Sequence, residues 1–354
     1  MQTHEMTVDR DDCILVTGAR GFIGGRVVAS LVRRGFRNLR CLGRSQGTTP
    51  HLERALRSCP ADVRITLLEG NLLSREDCHA ATRGVSLVYH LAAGRGAKSF
   101  PDAFLNSVVT TRNLMEACST VPSLQRVVSV SSMSVYSNLQ KPSWRLLDES
   151  CPVDEEAHLR GDAYTFAKVK QDAMVADCGR RFGIPYVIVR PGVVFGPGNE
   201  AIHGRVGLGT FGLFLHLGGR NPVPFTYVEN CADAIALAGL IRGIDGEVFN
   251  VVDDNPPSSR QFLRFYKKHV KRFPSVYVPH ALSFLLCWAW ESYSRRSRGQ
   301  LPPVFNRKMW HTYWKATAYS NAKARTLLNW VPSISMTDSL RAHFEACRTE
   351  QPSA

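Results

Sequence analysis

A glycine-punctuated loop, Thr17-Gly18-Ala19-Arg20-Gly21-Phe22-Ile23-Gly24, follows a short apolar run at 13–17 and leads into a helical pattern over 22–34. Few loops constrain a fold as tightly. Glycine at 18 permits a tight turn out of a strand, glycine at 21 lets main chain approach a pyrophosphate, and glycine at 24 lets the helix pack close to the strand. The helix then aims its unpaired N–H groups and the positive end of its dipole at the phosphates. The spacing predicts a strand, loop and helix that open a dinucleotide-binding sheet.

The pattern after this loop agrees with that start. Short apolar runs at 39–42, 63–68, 87–91, 126–131 and 186–190 alternate with helical patterns at 75–82, 102–118 and 162–182. A further strand is expected at 247–252. Gly35 and Gly183 stand where helix C-caps belong. Alternation of this kind predicts an α/β fold, a Rossmann doubly wound parallel sheet. After Arg190 the chain turns rich in Gly and Pro, and from Pro256 it becomes basic. The expected division is a dinucleotide domain of 1–190 plus 227–255, with a smaller, discontinuous substrate lobe of 191–226 plus 256–354.

Which dinucleotide is held depends on the end of the second strand. NAD binders place an acid there for the ribose 2′-hydroxyl. The stretch 40–46 has none, and Arg44 lies about 20 residues past the loop. A guanidinium at that point pairs with a 2′-phosphate, and Arg20 is placed to assist. The reading is NADP, with NAD as the other choice. Farther along, Tyr164 and Lys168 are four apart on a helical segment and share a face. An ammonium beside a phenol favours phenolate, which suits acid–base work between alcohol and carbonyl.

Composition excludes more than it selects. The ten cysteines form no CxxC pair. That argues against a zinc site or a disulfide framework and for a reducing compartment. The first twelve residues carry no apolar signal core, so the expected location is cytoplasmic. Of the net charge of +14, +12 falls in residues 259–354, which hold 16 Lys and Arg against 4 Asp and Glu. This suggests an anionic partner. Nothing else supports nucleic acid. Residues 281–290 form an apolar run of ten, too short for the roughly 20 residues that span a bilayer. Its two tryptophans, followed by Arg295, Arg296 and Arg298, read either as an interfacial helix touching a membrane through 281–298 or as a wall of the substrate pocket.

Six blocks in order then make the chain resemble an extended short-chain dehydrogenase/reductase over nearly its whole length. They are the loop at 17–24; Tyr89-His90-Leu91-Ala92-Ala93; Ser131-Ser132-Met133-Ser134-Val135-Tyr136; Tyr164 with Lys168; Arg190-Pro191 followed by Phe195-Gly196-Pro197-Gly198; and Tyr227-Val228-Glu229-Asn230. The resemblance implies an enzyme in which Tyr164 exchanges the proton, Lys168 lowers its pKa and holds the nicotinamide ribose, and Ser132 binds the substrate oxygen. It implies cofactor contacts from Thr17, Gly18, Arg20, Gly21, Phe22, Ile23, Gly24, Arg44, Asn71, Leu72, Leu91, Ala92, Ala93, Tyr164, Lys168, Pro191 and Val193, and requires no metal. Asn71 stands where the family has Asp near the adenine, its amide oxygen still an acceptor, and Ser137 replaces a Gly. In many nucleotide-sugar enzymes of the family an Asn contacts the substrate phosphate where this chain has Val193. Met133 and Ser134 stand where a dehydratase carries acids. The helices near 102–118 and 162–182 often pair as a homodimer in such proteins.

The tail looks similar to the 3β-hydroxysteroid dehydrogenase branch, through Val278-Pro279, Pro302-Pro303 and the run from Ser320 to Pro332. The leading expectation is therefore a secondary-alcohol dehydrogenase or ketone reductase for an apolar or lipid-like small molecule. A nucleotide-sugar epimerase or reductase is the alternative, and a non-catalytic dinucleotide sensor the third.

Overall fold

The computed structural model describes residues 6–45, 48–57, 59–94, 99–139, 144–199, 201–297, 300–301 and 305–349, with the side chains of all but His51 and Ala55. Arg298, Pro302 and Pro303, used above, lie outside the described residues.

The first half alternates as its periodicity predicts. In order come β1 (Ile14–Thr17), α1 (Gly24–Arg33), β2 (Asn38–Gly43), α2 (Pro50–Arg57), β3 (Arg64–Glu69), α3 (Arg75–Thr82) and β4 (Leu87–His90). Next are α4 (Phe100–Ala103), a π-helical turn (Phe104–Val109), α5 (Thr110–Cys118), β5 (Arg126–Val130), the short β6 (Leu146–Leu147), α6 (Ala163–Phe182) and β7 (Tyr186–Pro191). Helix α2 has no counterpart in the sequence reading. Its four charged or imidazole side chains in eight residues hid two apolar anchors four apart, Leu52, which is buried, and Leu56, which packs against the same core. The segment 102–118 was expected as one helix. It is interrupted by the π turn, where the hydroxyls of Thr110 and Thr111 bond back to the carbonyls of Asn106 and Ser107.

The second half adds β8 (Val193–Phe195), β9 (Gly207–Thr210), β10 (Leu213–His216), β11 (Phe225–Tyr227), α7 (Val228–Leu240), β12 (Val248–Val251) and α8 (Ser259–His269). It ends with β13 (Ser275–Tyr277), α9 (His280–Arg296), α10 (Arg307–Tyr313), β14 (Ala318–Tyr319), α11 (Ala322–Leu328) and α12 (Met336–Thr349).

Seven strands form one parallel sheet in the order β12-β7-β5-β4-β1-β2-β3. Strands β1, β4 and β5 are buried along their whole length. That is why they read as continuous apolar runs rather than alternating ones. Each buried Ile, Leu or Val there contributes about 1.5–3 kcal/mol. The strand order reverses between β1 and β4, so a crevice opens beyond their carboxyl ends.

Over that edge sit the small sheet β13-β10-β9, the pair β8 and β11, and helices α8 and α12. Their core is aromatic, with Phe195, Phe225, Phe262, Tyr266 and Phe344 in edge or tilted contact. Helix α11 returns to the large sheet, where Ala324, Leu328 and Trp330 join its core. The indole of Trp330 donates to the Asn230 carbonyl at 3.1 Å.

Candidate active site

The loop after β1 meets the end of β4 at the switch point. Gly18 has φ +71°, and a Cβ there would come within 2.8 Å of the Ala92 nitrogen. At Gly24 a Cβ would lie 2.1 Å from the Gly18 carbonyl oxygen, so helix α1 touches its own loop. Helix α1 starts without a side-chain cap; the N–H groups of Gly25 and Arg26 bond back to the Gly21 and Ile23 carbonyls, and the positive end of the helix dipole still faces the loop. The side chain of Arg26 fastens this corner. It donates to the Phe22 carbonyl, the Pro197 carbonyl and the Glu229 carboxylate, at 2.7, 2.7 and 3.0 Å. Three of the sequence blocks therefore converge on a residue that belongs to none of them, and no signal in the sequence marked it.

In front of the loop lies a cavity of about 560 Å³. Thr17, Gly18, Arg20, Arg44, Leu72, Ala92 and Ala93 line it, together with Asp102 and Asn106. At its far end Arg20 donates to the Ser45 hydroxyl at 2.9 Å, while its second terminal nitrogen is buried without a partner. Arg44 donates to Asn106. Gly21 and Leu91 shape the floor through main-chain bonds to Gly18 and Thr17. Asn71 does not line the cavity, and its amide oxygen accepts from the Leu73 N–H at 3.1 Å. A narrow glycine floor, the positive end of a helix and a buried guanidinium nitrogen without a partner fit a dinucleotide and its phosphates.

A second cavity, of about 550 Å³, opens beside the first. Phe22, Ile23, Ser132, Tyr164, Pro191 and Val193 line it, so the sequence-read residues divide between the two hollows. Ser132 caps a short 3-10 turn (Met133–Val135), with its hydroxyl accepting from the Ser134 N–H at 3.1 Å. Helix α6 begins at an Asp162 cap, which sets Tyr164 at the cavity wall. Ser132 faces the Tyr164 phenol and favours its ionised form. Packing around the ring raises the phenol, with Ser132 pulling the other way and Asp162 adding to the rise, while the residue as a whole stays 36% exposed.

Lys168 is buried one turn on. Its ammonium donates to the Val130 carbonyl at 2.7 Å and to Gln171 Oε1 at 2.8 Å. Burial pulls it down to about 8, against the opposing charge of Asp172. The net effect on Tyr164 differs from the one the resemblance implied. Packing around Tyr164 raises the phenol, while the ammonium is engaged with main chain and Gln171.

Behind Lys168 runs a buried chain of bonds whose directions can be assigned. Thr111 Oγ1 donates to the Ser107 carbonyl, so it accepts from both Gln171 Nε2 at 2.9 Å and His90 Nε2 at 2.8 Å. His90 then carries its proton on Nε2, and Nδ1 accepts from Thr17 Oγ1 at 2.8 Å. Burial holds this imidazole neutral, down to about 3. The chain joins the lysine to the first residue of the glycine loop. Gln171 was not singled out in the sequence, although 164, 168 and 171 share one helix face and that spacing could have marked it. One turn farther, Arg190 pairs with Asp172 at 3.0 Å and covers the Tyr136 ring at 4.7 Å.

The rest of the second cavity is mostly apolar. Pro191, Val193, Phe195, Pro224, Phe225 and Phe262 face it. Ser134, Asn199, His203, Arg205, Tyr313 and His343 add polar groups to its wall. Arg205 donates to the Thr312 carbonyl and the Tyr319 hydroxyl and lies over the Tyr313 ring. His203, stacked on that ring, is held neutral by burial.

A family model described as the NAD dependent epimerase/dehydratase family matches residues 14–251. The chain is 28% identical over 261 residues to the 3β-hydroxysteroid-dehydrogenase/decarboxylase isoform 1 of Arabidopsis thaliana. That alignment covers 69% of this chain and 56% of the relative, so the chain spans little more than half its length. It is 25% identical over 343 residues to the 2-alkyl-3-oxoalkanoate reductase of Stenotrophomonas maltophilia, covering 93% of this chain and 97% of that protein. Among solved structures it is similar to UDP-glucuronic acid 4-epimerase from Bacillus cereus in complex with UDP-glucuronic acid and NAD. The TM-score is 0.70 at 22% identity, covering 96% of this chain and 99% of that one, a likeness of fold.

Proposed function

This chain belongs to the NAD dependent epimerase/dehydratase family and is an enzyme of the extended short-chain dehydrogenase/reductase type, and from that premise we propose that it reduces a ketone on an apolar substrate, with NADP as its dinucleotide. The observation that carries this reading is the second cavity, in which the Tyr164 and Ser132 hydroxyls meet on a wall otherwise built largely from Pro, Val and Phe. Ser132 orients the carbonyl oxygen, and Tyr164 gives it the phenolic proton. The Tyr164 phenol, raised above its ordinary value, is protonated at neutral pH and can give this proton to the oxygen. The dinucleotide, when bound, supplies the hydride; residues 17–24 would hold its pyrophosphate and Lys168 its ribose. Thr17, His90, Thr111 and Gln171 keep the Lys168 ammonium in place and leave one of its three protons for that hydroxyl.

Two measurements test this machinery. The KM for the dinucleotide is expected to rise as pH passes about 8, because the folded-state pKa of Lys168 lies there and the ammonium is complete only below it. A KM that stays flat through that range would remove the ammonium from dinucleotide binding. Gln171→Leu is expected to lower kcat/KM by about tenfold, mainly through KM for the dinucleotide.

The choice of NADP rests on Arg20, Arg44 and Ser45 at the end of β2, where no acid stands. Arg20→Ser with Arg44→Asp is expected to shift the NADP to NAD preference by roughly 100-fold toward NAD, through the lost charge-assisted bonds to a 2′-phosphate. An unchanged ratio of kcat/KM values would refute the assignment.

A second reading is a nucleotide-sugar epimerase or reductase, and Arg205 in the cavity wall favours it. Incubation with a panel of nucleotide sugars and a panel of sterol, lipid and aromatic ketones separates the two. Epimerised or reduced sugar with no ketone-dependent oxidation of NADPH would replace the first reading by the second.

A further inference from the structure

Helix α9 is built inside out. Its inward face carries Ser283, Cys287 and Ser294, all buried. The two serines bond locally, Ser283 to the His280 carbonyl and the Trp310 indole, and Ser294 to the Leu301 carbonyl. Its outward face carries Leu282, Leu285, Leu286, Trp288 and Tyr293, each 47–62% exposed. Positions 282, 285, 286, 289 and 293 repeat at helical spacing, so most of these side chains form one continuous stripe. An ordinary surface helix shows the opposite polarity, and an apolar stripe this long marks an interaction site. The stripe ends on a cation. Arg296 stands three residues past Tyr293, on the same face, and Arg295 beside it is exposed.

We propose that this face docks the protein on an anionic lipid surface, with α9 lying in the plane of the interface. The leucines enter the acyl boundary, Trp288 and Tyr293 take the interfacial depth that suits an amphipathic ring, and Arg296 meets the headgroup phosphates, while Arg295 is paired with Glu291. The helix of 17 residues cannot cross a bilayer, and no helix among the described residues is long and apolar enough to do so. Charge decides the occupant. A chain of net +14 repels its own copy and is drawn to a negative leaflet. This surface is separate from the two cavities, so the proposal stands whether or not Tyr164 has the role given above.

The test is sedimentation of the full-length protein with vesicles of phosphatidylcholine alone and of phosphatidylcholine mixed with phosphatidylglycerol. The protein should pellet with the mixed vesicles, far less with the neutral ones, and be released by added salt. Leu285→Glu with Leu286→Glu should lower the bound fraction by about tenfold, and Arg296→Glu should weaken binding to the mixed vesicles alone. These side chains are exposed, so the variants should keep the wild-type circular dichroism and dinucleotide binding. Protein that stays in the supernatant with both vesicle types overturns the proposal. So does a dimer, seen by light scattering, that the glutamate pair dissociates without any vesicle binding, since the face would then join two copies. Equal pelleting of wild type and the glutamate pair would also overturn it.

Discussion

Replacing Tyr164 by Phe is expected to lower kcat by roughly 10²- to 10⁴-fold, the range that a positioned general acid supplies. Nothing but one hydroxyl changes. Ring packing and helix α6 are kept, so the melting temperature and dinucleotide affinity should match wild type. In the proposed role, that hydroxyl is the source of the proton for the substrate oxygen. Ser132→Ala should cost less, about 100-fold, because it removes a bond that orients the oxygen but leaves the donor. In the proposed mechanism the two hydroxyls act on one oxygen, and Ser132 influences the Tyr164 phenol directly. The double variant should therefore be little worse than Tyr164→Phe alone. A Tyr164→Phe enzyme with kcat within a factor of about three of wild type would mean that another group supplies the proton. Dinucleotide-driven turnover of the ketone panel, followed at 340 nm as roughly the usual nicotinamide absorbance band, gives all three numbers.

Asp172→Ala is expected to cost about 3–5 kcal/mol of stability, the loss seen when one partner of a buried ion pair is removed. Both side chains of the Asp172 and Arg190 pair are less than a tenth exposed. The alanine leaves the Arg190 guanidinium in a dry site with only the Tyr136 ring over it. Urea unfolding at neutral pH measures the loss, and a change below about 1 kcal/mol, the worth of a surface pair, would show that water reaches the site. Asp172 also bears on the active site. Its charge is the influence that holds Lys168 up against burial. Asp172→Asn should thus move the inflection in dinucleotide KM below its wild-type position near pH 8, because the ammonium loses its stabilising partner. Stability and pH profile report on the same carboxylate in independent ways.

Much of the molecule was legible before any coordinates. Strands 39–42, 126–131 and 186–190 were placed to within a residue or two, because two-sided burial in a parallel sheet writes itself as unbroken apolar runs. Gly183 closes α6 in the left-handed conformation, as its position at the end of the helical pattern implied. Elements with a short apolar face escaped, as α2 did, since two leucines among charges span little more than one turn. The interruption of 102–118 escaped too. It arises from side-chain hydroxyls bonding back to main chain, and any of several threonines can do that.

The candidate site divides along the same line. Local chemistry placed the glycine loop, the Tyr164 and Lys168 spacing and the basic end of β2, because turn geometry and helical period are properties of adjacent residues. Solvent exclusion and partnership belong to no single segment. The rise of the Tyr164 phenol to about 12, the chain from Lys168 to Thr17 and the grip of Arg26 on three motifs all depend on residues tens to hundreds of positions apart. The same holds for α9. Its run of apolar letters suggested either a pocket wall or a surface, and only packing, which turned its serines inward and its leucines out, chose between them. A one-dimensional pattern states which face of an element is apolar; which face ends up covered depends on what the rest of the chain brings against it.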